Sequence, residues 1–188
     1  MITRSPLLRR PVANLTGVAT ALVAALAASN CIAKVPQLTV TPQSDLRFGS
    51  LVVFGSGSRT VSANGNVLDS GIMSGDQGIS GPARFTVSYD RGNESRRPLD
   101  VQIEVVLSNV SPINRDGTSA RIATFDSDLP GGNQIQPGRP FTIRIPDCRQ
   151  RVCSRSFAVG GRLDVTRNFG GADLRFPLVL DAVVISTR

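Results

Sequence analysis

The sequence contains no histidine and no tryptophan, and its only lysine is Lys34. Without histidine, the chain cannot form the Ser-His and Cys-His pairs of nucleophilic catalysis or the usual His-containing zinc sites. A Ser-Lys pair would have to use Lys34, which lies at the expected N-terminus of the mature chain, a poor place for a buried base. These absences predict a protein that is not an enzyme.

Acidic and aromatic residues are also scarce. Glu94 and Glu104 are the only glutamates, and a glycosidase with paired carboxylates usually adds aromatic residues that hold the sugar. Nucleic-acid grooves interleave basic residues with stacking aromatics, so the scarcity of aromatics argues against nucleic acid as a partner. Residues 126–131 depart from the calcium loop of an EF-hand and read as a turn. The sequence therefore predicts no cofactor and no metal.

Long apolar runs are confined to the N-terminus. Arg4, Arg9 and Arg10 precede an Ala-rich apolar stretch at residues 15–28, the layout of a secretory signal peptide. This stretch is shorter than the roughly 20 residues that a membrane-spanning helix needs. We expect cleavage after Ala33, with residues 27 and 28 as alternative sites. The mature protein, residues 34–188, is then secreted, periplasmic or on the cell surface, with no membrane span.

Three cysteines are present, and removal of residues 1–33 leaves two of them, Cys148 and Cys153. Their spacing closes a small loop, and an oxidising compartment favours a disulfide there. On the loop-entropy estimate such a bridge stabilises by about 2 kcal/mol. A structural zinc needs four ligands and a redox pair normally has the tighter C-x-x-C spacing. A structural disulfide is therefore the favoured interpretation.

The mature chain has the length of a single domain. Removal of the three signal-peptide arginines lowers the formal net charge from +7 to +4. Basic residues gather around the expected disulfide loop and again at residues 91–97, where a polyanion-binding patch is one interpretation and solvated turns and strand faces are the favoured one. The patch residues are Arg144, Arg149, Arg151 and Arg155.

Alternation of apolar and polar residues predicts half-buried β-strands after residue 34. The first is residues 46–54, where Phe48 and Phe54 are expected to supply apolar area to the core and Gly49 to mark a bulge or a close backbone approach. Further inward-facing sets are Phe85, Val87, Tyr89; Val101, Ile103, Val105, Leu107; and Phe141, Ile143, Ile145.

Glycine-containing turns separate these runs, and one of them predicts a particular connection. Gly160-Gly161, between an apolar run at residues 157–159 and another at 163–165, indicates a hairpin. Residues 174–185 are expected to form one last strand, with a bulge near Asp181 after which Val183 and Ile185 continue its apolar face. Short strands at this spacing favour an antiparallel two-sheet sandwich over a barrel, although periodicity alone does not exclude the barrel.

Several of these motifs together resemble one family. They are Asp-Leu-Arg-Phe-Gly at 45–49, Ser-Arg-Thr-Val-Ser at 58–62, Gly-Pro-Ala-Arg-Phe-Thr-Val at 81–87 and Phe-Ala-Val-Gly-Gly-Arg-Leu-Asp-Val at 157–165. In order and spacing they are similar to the bacterial domain of unknown function 4402 family. The resemblance implies a secreted, immunoglobulin-like or pilin-like sandwich found in surface or fimbria-related contexts, with no established catalytic residues. The chain departs from it at residues 91–97, at its cysteine loop and at residues 183–186.

We therefore expect a non-enzymatic structural or adhesion-type protein whose partners are copies of itself or other subunits of a surface fibre. Leu38 and Val40 lie on one face of the expected mature N-terminal segment, and such a segment can be donated to a neighbour's sandwich. The favoured interpretation of the segment itself is the first strand of its own sandwich. An alternative function is a monomeric extracellular binding module for a polyanion or a carbohydrate.

Overall fold

The computed structural model describes residues 34–75, 79–93, 97–115, 117–131, 134–167 and 171–188. The expected signal peptide, its cleavage after Ala33 and the removal of Cys31 with it lie outside the described residues. Within those residues there is no helix, and so no helix long and apolar enough to cross a membrane. The all-β prediction is confirmed.

Twelve strands make up the described part of the chain, because its apolar residues alternate with polar ones between glycine-rich turns. They are β1 Gln37–Ser44, β2 Leu46–Val61, β3 Val67–Ser74, β4 Ser80–Gly81, β5 Ala83–Asp90, β6 Leu99–Leu107, β7 Ile113–Arg115, β8 Thr118–Ser127, β9 Pro140–Cys148, β10 Val152–Arg167, β11 Gly171–Phe176 and β12 Leu180–Thr187.

The strands form two sheets in which the neighbours pair antiparallel. Nine strands belong to the larger sheet, which follows the path β1-β5-β10-β2-β11, with β3 and β4 beside β2, β8 beside β10, and β7 beside β8. The smaller sheet has the order β12-β6-β9. A single core cluster contains buried residues of both sheets. The architecture is therefore the predicted antiparallel β-sandwich.

Phe157 joins the two sheets at the centre of this core. Its ring centroid lies 5.6 Å from that of Phe85 on the neighbouring strand of the larger sheet and 6.2 Å from that of Phe141 on β9 of the smaller one. Burial of a large apolar side chain contributes about 1.5–3 kcal/mol. The predicted inward-facing sets on β5, β6 and β9 all point to this core, with Phe141 only half-buried.

In the first predicted core strand, the alternation of core-facing and outward-facing side chains shifts by one residue at a glycine. Phe48 is fully buried, and Gly49 has a φ of 69°, a left-handed conformation that glycine adopts without steric cost. Beyond this bulge Leu51 and Val53 face the core, while Phe54 is 83% exposed. The expectation that Phe54 supplies area to the core is wrong, because the extra residue moves it to the outer face.

The predicted hairpin at Gly160-Gly161 is also wrong, because both glycines lie within the continuous strand β10. A Cβ atom at Gly160 would meet the carbonyl oxygen of Val61 and the amide nitrogen of Ala63. The glycine is needed because the end of β2 passes close to β10 there. One strand thus pairs with β5 along its first half and with β2 and β8 along its second.

The single last strand expected at residues 174–185 is in fact two strands in different sheets. β11 pairs with β2, residues 177–179 lead out of that sheet, and β12 pairs with β6. Leu180, Ala182 and Val184 face the core, whereas Val183 and Ile185 point outward. The expected change of phase near Asp181 does not occur, and the irregularity in register falls between Val184 and Ser186.

β3 is fastened to β2 by a buried arginine that the sequence analysis did not single out. Arg59 is 2% exposed, and its Nε and one Nη donate hydrogen bonds of 2.6 Å to the two carboxylate oxygens of Asp69, which lies opposite on β3. The other Nη donates to the carbonyl oxygen of Phe48 at 2.7 Å. Apart from Ile72, which packs partly buried against the core, the other β3 side chains are exposed. The pair is therefore one of two side-chain attachments of the strand.

Candidate strand-association edge

The first strand, β1, lies in the chain's own sheet. It pairs antiparallel with β5, which places Leu38 opposite Tyr89 and Val40 opposite Val87. Leu38 and Val40 pack half-buried against the core, whereas the alternating residues Thr39 and Thr41 are exposed. The segment is therefore the first strand of its own sandwich here, and its donation to a neighbour stays a prediction.

Polar contacts hold Lys34, which lies three residues before this strand begins. The Lys34 ammonium lies 2.7 Å from Asp90 Oδ2, and the Lys34 carbonyl accepts a hydrogen bond of 3.2 Å from the amide of Asn93. Asp90 also accepts hydrogen bonds from the amide of Gly92 and from Arg151 Nε. The Lys34 hydrogen bond, followed by that of Gly92, lowers the pKa of Asp90 from 3.8 to about 2.

β12 is the matching edge of the smaller sheet and lies beside β1. Its core-facing Leu180, Ala182 and Val184 are only half-buried. On its outer face Val183 is 54% exposed and Ile185 49% exposed. Natural edge strands are commonly shielded by charges, proline or a covering segment. β12 instead presents apolar side chains on both faces of an edge.

β1 and β12 together form what we call the association edge. Within the described ranges each of the two strands pairs with one neighbour, so its other side carries a row of unpaired backbone groups. The half-buried residues Leu38, Val40, Ala182 and Val184 line the core at this edge. Such an arrangement can accept or exchange a β-strand, with main-chain hydrogen bonds providing affinity and the apolar side chains providing register.

The predicted disulfide is confirmed. Cys148 and Cys153 are joined by a bond of 2.03 Å, with their Cα atoms 5.8 Å apart. Cys148 ends β9 and is buried, and Cys153 lies in β10 opposite Tyr89 of β5. The bridge therefore closes the turn that passes from the smaller sheet to the larger one.

The four arginines of the predicted polyanion patch lie near this turn but do not act as one charge cluster. Arg149 pairs with Asp147 at 2.8 Å, and Arg151 pairs with Asp90 at 3.3 Å. Arg155 donates instead to the carbonyl oxygen of Arg144, at 2.8 Å, and so bridges β10 and β9. Two of the four positive charges thus have an aspartate partner, which weakens the attraction of this surface for a polyanion.

Arg91, at the end of β5, belongs to the interior rather than to a solvated turn. It is 2% exposed and donates hydrogen bonds to the carbonyl oxygens of Cys148, at 2.9 Å, and Arg97, at 2.7 Å. These bonds connect the β5 turn with the disulfide loop. A charged residue followed by Gly92 and Asn93, both turn formers, gives no local sign of burial, so the sequence analysis missed this role.

The Asp-rich segment at residues 126–131 uses its carboxylates to accept hydrogen bonds from backbone amides. Asp126 accepts a hydrogen bond from the amide of Ala63, and Asp128 accepts one from the amide of Ala158, both at 2.8 Å. Among the described residues no group of three or more Cys, Asp or Glu side chains is placed to hold a metal ion. The two carboxylates therefore hold the backbone at Ala63 and at Ala158 next to this segment.

Comparison with known proteins places the chain in one family. No curated protein matches it, and no solved structure matches it. The family model described as a domain of unknown function, DUF4402, matches residues 38–171, from β1 to the first residue of β11. Because the match spans most of the sequence and includes every motif on which the resemblance rested, the chain belongs to the domain of unknown function 4402 family.

Proposed function

We propose that this protein is a non-enzymatic structural protein, secreted or displayed on the cell surface, that joins copies of itself or other fibre subunits by exchanging an edge strand. The observation that carries the proposal is β1, an N-terminal edge strand paired with β5 alone among the described strands. The signal-peptide pattern at residues 1–33 supports export, and the absence of histidine supports a role without catalysis.

In the proposed exchange, β1 of one copy leaves its own β5 and pairs with β5 of the next. Leu38 and Val40 then take the same places opposite Tyr89 and Val87 that they occupy within a single chain. No new complementary surface is needed, because the donated strand and the vacated edge are already matched. Exchange of an identical element is a low-cost route to assembly, and continued transfer from copy to copy builds a fibre.

The contacts of β1 suit a strand that can be released. Its core-facing side chains are half-buried, and its start is held by the exposed pair Lys34–Asp90. Exposed ion pairs contribute about 0–1 kcal/mol. The hydroxyl of Ser44 donates to the carbonyl oxygen of Pro82 at 3.1 Å at the other end. A neighbouring copy restores each of these contacts when it supplies the same strand.

A pair of cysteines placed across the β1–β5 ladder tests the exchange. Thr41 and Thr86 lie directly opposite each other, where Cα atoms are about 4.5–5.5 Å apart, within the range that a disulfide spans. In the oxidised double variant Thr41→Cys/Thr86→Cys, exchanged strands link separate chains, so we expect a ladder of multimers on a non-reducing gel of the assembled protein. A cross-link found only within monomers contradicts the exchange.

The matched control is Glu104→Cys/Thr142→Cys, which places cysteines opposite each other on β6 and β9. Neither strand is exchanged in the proposal, so this variant should form its bridge only within one chain. Deletion of residues 34–41 gives a second measurement, because a folded truncated protein should fail to enter multimers. The intact mass of the exported protein then shows whether residues 1–33 have been removed.

A further inference from the structure

A polar groove lies on the outer face of the larger sheet, where β3, β2, β10 and β8 run side by side. Its volume is about 540 Å³, which falls within the range of small-molecule sites. Hydroxyl groups and one cluster of charges line it, rather than the apolar side chains of the sandwich core. The residues that matter for its chemistry are Ser56, Ser58, Ser70, Arg121, Arg162 and Asp164.

The ladder registers place four of these residues in one row across the sheet. Ser70 lies opposite Ser58, Ser58 opposite Asp164, and Asp164 opposite Arg121. Neighbouring strands are about 4.8 Å apart, so the row extends over about 14 Å. The groove therefore presents a line of hydrogen-bonding groups that suits an elongated ligand better than a compact one.

At the centre of the groove one carboxylate stands between two guanidinium groups. Arg162 Nε lies 3.2 Å from Asp164 Oδ1, and Arg121 Nη2 lies 3.8 Å from Asp164 Oδ2. All three side chains are at least 32% exposed, so a ligand can reach them. A guanidinium donates and a carboxylate accepts, while serine hydroxyls do both. This set matches ligands whose adjacent hydroxyl groups both donate and accept.

An exposed aromatic residue lies close to the groove residues in the sequence of β2. Phe54 is 83% exposed and precedes the groove residue Ser56, which is also exposed, by two positions on β2. The ladder between β2 and β3 shifts register in this stretch, between Val53 and Ser58. A phenyl ring that stays exposed gains none of the stabilisation that burial provides. A large exposed apolar group is a common feature of binding surfaces.

We propose that this groove is a binding site for an oligosaccharide. The apolar C–H face of one sugar ring packs on Phe54, and the hydroxyl groups of the following rings bond to Ser58, Arg162 and Asp164. The combination of one ring, a mixed-charge cluster and a row of hydroxyls favours a neutral or singly charged glycan over a polyanion, because Asp164 offsets one of the two guanidinium charges. The site is separate from the association edge, so it goes beyond the proposed function.

The test applies the purified, fluorescently labelled protein to a glycan microarray with neutral, acidic and sulfated oligosaccharides. We expect binding to neutral or singly charged glycans. Loss of a hydrogen bond to a charged group lowers affinity about tenfold or more, so Asp164→Asn and Arg162→Gln should each reduce binding at least that far. Phe54→Ser should do the same without unfolding the protein, because the ring is exposed.

Two variants serve as controls, Arg144→Gln in the arginine patch and Val179→Ser, whose side chain is 59% exposed before β12. Both should bind as the unchanged protein does. The proposal is overturned if no glycan on the array binds, if only sulfated glycans bind and are released by added salt, or if the control variants lose as much affinity as the groove variants. None of these results depends on whether β1 is exchanged between copies.

Discussion

β1 and β3 are both eight-residue edge strands of the larger sheet, yet they are fastened to it in different ways. β1 contributes two half-buried apolar side chains, and an exposed ion pair, Lys34–Asp90, holds its start. β3 is held by the bidentate pair of Asp69 with the fully buried Arg59. An exposed pair is worth about 0–1 kcal/mol, whereas removal of one partner of a buried pair costs about 3–5 kcal/mol.

This difference indicates which edge of the sheet can move. Release of β3 would leave the Arg59 guanidinium buried without its carboxylate, so this strand stays attached as long as the domain is folded. Release of β1 breaks its ladder with β5, exposes the half-buried Leu38 and Val40, and hydrates an ion pair whose lysine side chain is already 45% exposed. We therefore expect a permanent edge at β3 and, as the proposed function requires, an exchangeable one at β1. Three substitutions or sets of conditions test that distinction.

The largest effect is expected at the permanent edge. Asp69→Ala leaves Arg59 buried and unpaired, so the free energy of unfolding should fall by about 3–5 kcal/mol. Asp164→Ala, which breaks exposed pairs with Arg121 and Arg162, should lower it by less than about 1 kcal/mol. Urea denaturation measures both values. Equal losses in the two variants would show that the buried pair does not fasten β3 more strongly than a surface pair.

A smaller effect is expected at the disulfide, which lies on the β1 side of the sheet. The double variant Cys148→Ser/Cys153→Ser removes a bridge that closes a short loop, so stability should fall by about 2 kcal/mol. Hydrogen exchange should become faster in β9, in the first half of β10 and in β5, while amides of β2 and β3 keep their protection. Faster exchange spread evenly over both edges would contradict a local role for the bridge.

The smallest effect concerns the ion pair at the start of β1. Because the pKa of Asp90 is about 2 in the folded protein and 3.8 is its ordinary value, its stabilising contribution is complete above about pH 4 and is lost as the pH falls towards 2. The difference in urea midpoint between the unchanged protein and Asp90→Asn should shrink over this range. Lys34→Gln, which removes the strongest hydrogen bond to Asp90, should reduce the same pH dependence. A constant difference from pH 6 to pH 2 would count against the pair.

The sequence predicted most of the core, because alternation in β5, β6 and β9 directly reflects which side chains leave water. It failed where backbone geometry or a distant segment decides the outcome. Gly49 shows that a bulge can occur. Only the fold shows that the inward–outward alternation shifts there, so that the Phe54 side chain lies on the solvent-exposed face. Gly160 looks like a turn residue, although its role is to admit the passing end of β2.

Predictions for the site succeeded where the relevant residues are neighbours in the chain. The Cys148–Cys153 bridge closes a short loop, and the common face of Leu38 and Val40 follows from strand alternation alone. The pairing of Arg59 with Asp69 and the burial of Arg91 depend on which strands meet. The same is true of β12, whose place beside β1 depends on the order of strands in both sheets.

The uninterrupted course of β10 sets the order in which the protein can fold. Its partners β2, β5 and β8 all precede it in the chain, so each is synthesised before the strand that joins them. Until β10 emerges from the ribosome, these strands have open hydrogen-bonding sides and apolar faces, the features that promote aggregation of unfinished β-proteins. Contacts between such distant segments also slow folding. The nascent chain therefore passes through a long interval in which a chaperone that binds extended apolar segments would protect it.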